Sequence, residues 1–138
     1  MPDIPYWTQT VTVLSRLAGR DSATKLDTWK KTKISGCFFK TEIQRGLAGT
    51  AAAVGMTAVC RIPEQPDFKP YSVWKNDIAS GFSISVGDHI ILGEVSEDVT
   101  AANVAEVVAK HRPNAMTVKA FADNTAFPFG GHYRVEGV

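Results

Sequence analysis

Apolar residues return at every second position in run after run of this chain. Val11 and Val13 alternate with Thr10 and Thr12, and Phe82, Ile84 and Val86 alternate with serines. Met116, Val118 and Ala120 alternate with Thr117, Lys119 and Phe121, and His132 to Glu136 repeats the pattern. A period of two marks a strand with one face in a core and the other in water, because successive side chains point to opposite sides. The runs are short and are separated by turn residues such as Gly19–Thr24, Gly87–Asp88 and the stretch 123–131.

These punctuations predict the following order. A strand over Thr8–Leu17 turns back as a hairpin onto Thr28–Ile34, whose lysines would discourage edge aggregation. Gly36 marks a bulge before Cys37–Phe39 returns to the core. Met56–Ile62 is a strand stopped by Pro63 and Pro66. Tyr71–Trp74 reads as a strand or a packed loop. Gly81–Val86 and His89–Gly93 form a hairpin about Gly87–Asp88. The expected class is mainly β, a small barrel or sandwich of about seven or eight short strands.

Two segments break the period. Residues 101–112 predict the one α-helix: Thr100 is its N-cap, and Ala101, Val104, Ala105 and Val108 form its apolar stripe. Lys110, His111 and Arg112 suit its negative end, and Pro113 stops it. Residues 41–55 hold three glycines and four alanines, with little side chain to bury. They predict a long, mobile, Gly/Ala-rich loop, a class that often carries function.

A length of 138 residues fits a single domain, 1–138, and 44% hydrophobic with 21% charged residues is ordinary for a globular protein. No apolar run reaches the ~18 residues of a membrane-spanning helix. The opening Met1–Pro5 carries an acid and two prolines where a secretory signal would carry a basic residue and an apolar run. A cytoplasm-like compartment and no membrane contact are therefore expected. A net charge of +1 argues against broad phosphate neutralisation on nucleic acid. Residues 1–75 nevertheless carry 11 Lys/Arg against 6 Asp/Glu, and residues 76–138 carry 4 against 8. Either the folded barrel interleaves these halves and the asymmetry vanishes, or it keeps them apart and gains a dipole suited to head-to-tail contact.

The chain shows no signature of catalysis. His89, His111 and His132 lack a partner at metal-ligand spacing, so neither metal nor cofactor is expected. There is no Gly-x-Ser-x-Gly, no phosphate-binding glycine loop and no Gly-x-Gly-x-x-Gly. Cys37 and Cys60 read as small hydrophobes in strands, with a bridge open to them if those strands are neighbours.

The order Val-Thr-Val-Leu-Ser-Arg at Val11, Thr-Trp-Lys-Lys-Thr-Lys-Ile-Ser-Gly-Cys at Thr28 and Gly-Phe-Ser-Ile-Ser-Val-Gly-Asp-His-Ile-Ile-Leu-Gly at Gly81 resembles small structural proteins of tailed bacteriophages and prophages. These belong to the head–tail joining region, of the head-closure (stopper) or minor capsid type. Gly87–Asp88 with the closing Gly93, and the Asp123–Asn124 turn before a last strand, also fit. The helix and the alanine-rich segment depart from that pattern.

The resemblance implies a β-barrel in a sixfold or twelvefold ring of its own copies. Such a ring contacts portal or adaptor proteins above and tail proteins below, with DNA only as channel contents. It also implies a structural protein of the virion, held in the host cytoplasm before assembly, and not an enzyme. The candidate assembly loop is Glu42, Ile43, Gln44, Arg45, Gly46, Leu47, Ala48, Gly49 and Thr50, with Val54. The aromatics Tyr6, Trp7, Phe127 and Phe129 either dock onto partners or lid the barrel. The competing expectations are a tail completion or terminator subunit, and a small hydrolase or ligand-binding barrel with Asp88, His89 and His132 near a pocket.

Overall fold

The computed structural model describes residues 7–21, 25–48, 51–126 and 131–138, and within 43–56 it describes the backbone alone. Six strands are formed: β1 Gln9–Leu17, β2 Thr28–Ala48, β3 Ala51–Pro63, β4 His89–Leu92, β5 Ala115–Asp123 and β6 His132–Gly137. Two short helices, α1 Tyr71–Trp74 and α2 Val104–His111, lie before β4 and β5. The strands close into a barrel in the order β1-β2-β3-β6-β5-β4, and every pair is antiparallel. The small β-barrel expected from the alternation is therefore the architecture observed.

The strand count falls to six for two reasons. The runs 28–34 and 37–48 fuse into β2 across a bulge: the pairing shifts between Gln9↔Cys37 and Val11↔Ile34, and Gly36 takes φ 75°. Only glycine adopts that backbone without strain, as its place in the sequence foretold. The expected hairpin arm Gly81–Val86, by contrast, is not a strand. Phe82, Ser83 and Ile84 are buried, but their backbone makes only an isolated bridge, Phe68↔Phe82. The alternation there records packing of a loop into the barrel mouth. Val86, placed by the pattern with Phe82 and Ile84, is 60% exposed. Trp74, in a segment read as strand or loop, is fully buried at the end of α1 and donates its indole N–H to the Gly81 carbonyl at 3.0 Å.

The largest correction concerns 41–55. Expected as a loop, its described residues 41–48 and 51–55 are paired backbone: β2 and β3 run in register from Phe38↔Arg61 through Thr41↔Ala58 to Ala48↔Ala51. Its glycines and alanines lower local strand preference, but alternate residues exchange amide and carbonyl across the ladder, and β2 enters already extended from the barrel. β3 meets β6 only from Ala58 onward, and β1 meets β2 only as far as Cys37. Beyond those points the hairpin pairs only with itself and overhangs the barrel by about 20 Å at ~3.3 Å per residue.

The barrel interior is filled by Val11, Val13, Ile34, Cys37, Phe39, Cys60, Ile62, Ile90, Met116, Val118 and Val135 among others. A second apolar cluster lies on the outer side of β1, β4 and β5, where Leu14, Ile91 and Ala115 meet Val107 and Val108 of α2. β1 is thus covered on both faces. Thr12, expected in water, is 1% exposed, and its hydroxyl donates to the Gly93 carbonyl at 2.7 Å. The helix itself starts later than predicted. The carbonyl of Thr100 accepts the amides of Asn103 and Val104, while Asn103 Oδ1 accepts the Thr100 amide at 2.7 Å. With the start moved to Val104, the buried stripe becomes Val107 and Val108, and Ala101 and Ala105 face solvent.

Candidate interaction surface

The histidines are the sequence's candidates for chemistry, and the structure separates His89 from His132. His89 stacks on Trp29 with ring centroids 5.1 Å apart, and its Nδ1 lies 3.1 Å from the Thr117 hydroxyl. Burial pushes the imidazole down to about 4, with the charges of Arg112 and Arg16 adding to the effect. Asp88 is 2% exposed, and its carboxylate accepts amides from Ser85 at 2.8 Å and Arg16 at 3.2 Å. Burial still pushes it up to about 7. His132 opens β6 against Trp7, edge to face at 5.2 Å. On β5 the partner of His89 is Thr117 and the partner of Tyr133 is Asp123, so the two histidines sit about 20 Å apart along the strand. The pocket expected around Asp88, His89 and His132 is not assembled. Among the described residues no three His, Cys, Asp or Glu side chains are placed to share a metal ion.

Cys37 and Cys60 lie on adjacent strands, both buried and both free thiols. Burial pushes Cys37 up to about 12 and Cys60 well above the ordinary thiol range. Neither is poised as a nucleophile, since the thiolate is the reactive form.

A concave face, which sequence reasoning missed, lies on the outside of β2, β3, β6 and β5. Residues whose neighbours in the chain point inward form cross-strand rows here: Phe38–Arg61–Arg134, then Lys40–Val59–Glu136–Ala120. Together with Lys119 and the base of the overhanging hairpin at Glu42 and Thr57, they enclose a groove of about 680 Å³. Phe38, Val59 and Ala120 supply apolar lining; Lys40, Arg61, Lys119 and Arg134 face two carboxylates, Glu42 and Glu136. Lys40 pairs with Glu42 at 2.7 Å and Arg134 with Glu136. Arg61 directly opposes Arg134, a like-charge cross-strand pair that is unfavourable in an isolated domain. Its Nε is shielded from solvent and has no hydrogen-bond partner among the described residues. The signal for this groove was present as charged residues two apart on two strands, Lys40 with Glu42 and Arg134 with Glu136, beside Arg61 and Lys119 on the other two. Its meaning depends on which strands become neighbours.

The predicted assembly segment maps onto the hairpin. Ile43, Gln44, Arg45, Gly46, Leu47 and Ala48 lie on β2 opposite Met56, Gly55, Val54, Ala53, Ala52 and Ala51. Gly49 and Thr50 fall outside the described residues, as do Tyr6, Phe127 and Phe129. Trp7 is half-buried against His132.

Residues 6–138 match a family model described as a family of unknown function, DUF6751. The chain belongs to the DUF6751 family. Comparison with curated proteins and with solved structures found no match. For this DUF6751 chain, the surface and not a relative's chemistry must carry any functional reading.

Proposed function

We propose that the chain is a structural protein of the virion of a tailed phage or prophage, a ring-forming subunit of the neck that joins head to tail and helps retain DNA. The observation that carries the reading is the hairpin of β2 and β3, a paired arm that extends beyond a closed barrel. Among the described residues no third strand is paired to the arm beyond the barrel, and solvent-facing edges of that length are normally blunted or covered. Seating the arm on a neighbouring subunit or ring covers them. The sequence resemblance to head-closure and minor capsid proteins supports the same assignment, and a net charge of +1 suits a channel wall that does not hold DNA by its phosphates.

The test is to replace residues 46–53 by Asn-Gly, which joins the cross-strand partners Arg45 and Val54 through a two-residue turn. The barrel is expected to keep its thermal midpoint, while particles made with the variant lack tails and lose packaged DNA. Normal yields of tailed, DNA-filled particles refute the assignment.

A further inference from the structure

The barrel order has a consequence for the uneven charge. β1, β2 and β3 are contiguous around the wall, and so are β6, β5 and β4, so the strands of the two halves of the chain are not interleaved and meet at two seams, β3/β6 and β4/β1. In a six-strand ring the β3/β6 seam, where the groove lies, is diametrically opposite the β4/β1 seam. The latter is the sector covered by α2 and by the segment after β4.

That covered sector carries Glu94, Glu97, Asp98 and Glu106. Glu94 pairs with Lys33 and Glu97 with Lys110. Asp98 and Glu106 are exposed and have no ion pair among the described residues. Both belong to the start of α2: Asn103 Nδ2 donates to the Asp98 carbonyl at 2.8 Å, and Glu106 is in the first turn of the helix. In the groove, Arg61 and Lys119 are likewise without an ion pair among the described residues. Two unmatched cations beside an apolar lining thus lie across the barrel from two unmatched carboxylates.

We infer that the groove of one copy receives the Asp98/Glu106 surface of a second copy. Patches that are complementary, distinct and on opposite sides of a subunit make a heterologous contact, the kind that repeats head to tail and forms a ring where the rotation between copies closes. The bound carboxylates answer the charge of the opposed Arg61 and Arg134, and the apolar lining excludes water from the pairs. This deepens the ring reading above and rests on it for biological meaning, but the contact is tested by itself.

The experiment is charge exchange read as mass in solution by sedimentation at low salt. Wild-type chain is expected to self-associate, less so as salt rises. Arg61→Glu with Lys119→Glu, and separately Asp98→Lys with Glu106→Lys, should each weaken association by about 100-fold or more. The quadruple exchange should recover it, as should mixing the two double variants, because acid and base again face each other. Circular dichroism verifies that each variant is folded. Unchanged mass in the double variants, no recovery in the quadruple, or wild-type chain monomeric at about 1 mM overturns the inference. If that happens while the arm replacement still blocks tail joining, the ring partner is another protein and only this inference falls. If the arm replacement leaves particles normal, the neck assignment falls whatever the masses show.

Discussion

Asp88 and His89 are neighbours in the chain whose titrations pull stability in opposite directions. Asp88 is raised from the usual 3.8 to about 7, burial outweighing its two amide donors and Arg16. Between those limits the folded chain keeps a proton that the unfolded chain has released, so stability is highest below about pH 4 and is lost as pH rises toward 7. His89 is lowered from 6.5 to about 4. Between those limits the unfolded chain takes up a proton that the folded chain refuses, so this stability is present above pH 6.5 and lost as pH falls. At 1.36 kcal/mol per pH unit the Asp88 effect is at most about 4 kcal/mol. The His89 effect is reduced to about 2 kcal/mol because its ring is partly open to solvent. In the native sequence the two largely offset each other across about pH 4 to 6.5. Asp88→Asn removes only the first, so its stability relative to the parent should climb by about 3 kcal/mol from about pH 4 to about pH 7.5. His89→Gln should show the reverse trend, smaller by about half, and the double variant the sum. Urea unfolding followed by tryptophan fluorescence across that range reads the differences directly. Profiles for Asp88→Asn and parent that run parallel within about 0.5 kcal/mol would refute the reasoning.

Other expectations concern packing. Gly137 sits where an added Cβ would overlap the Thr117 carbonyl, with Met116 Sδ 3.0 Å away. Gly137→Ala should thus pry open the β5–β6 seam and cost about 2–4 kcal/mol; a thermal midpoint within 1–2 °C of the parent (about 0.5 kcal/mol) would contradict that placement. Trp74→Phe deletes a 3.0 Å hydrogen bond to Gly81, whose carbonyl keeps only Lys30 Nζ at 2.6 Å, and should lower the midpoint by about 5–10 °C. Cys37 and Cys60 should react with a thiol reagent at neutral pH only as fast as the barrel opens, and at once in denaturant. Rapid labelling of folded protein would show that the β2–β3 wall is looser than its packing implies.

What could be read from the sequence was whatever depends on near neighbours in the chain. Alternation at Val11–Val13 and Met116–Val118 placed those residues inside the barrel, and Gly36 marked its bulge, because side-chain direction and backbone freedom are local properties. Local patterns misled where another element decides the outcome. Thr12 lost its solvent face to α2 and the segment after β4, and Phe82–Ile84 alternate because a loop is packed into the barrel mouth. Residues 41–48 and 51–55 became strand because each is set opposite a partner across the hairpin. The uneven charge was visible as composition, but which charged residues become neighbours follows from the order in which six strands close. The groove belongs entirely to that closure. Arg61, Lys119 and Arg134 are as much as 73 residues apart in the chain, and only ladder hydrogen bonds between β3, β6 and β5 set them side by side.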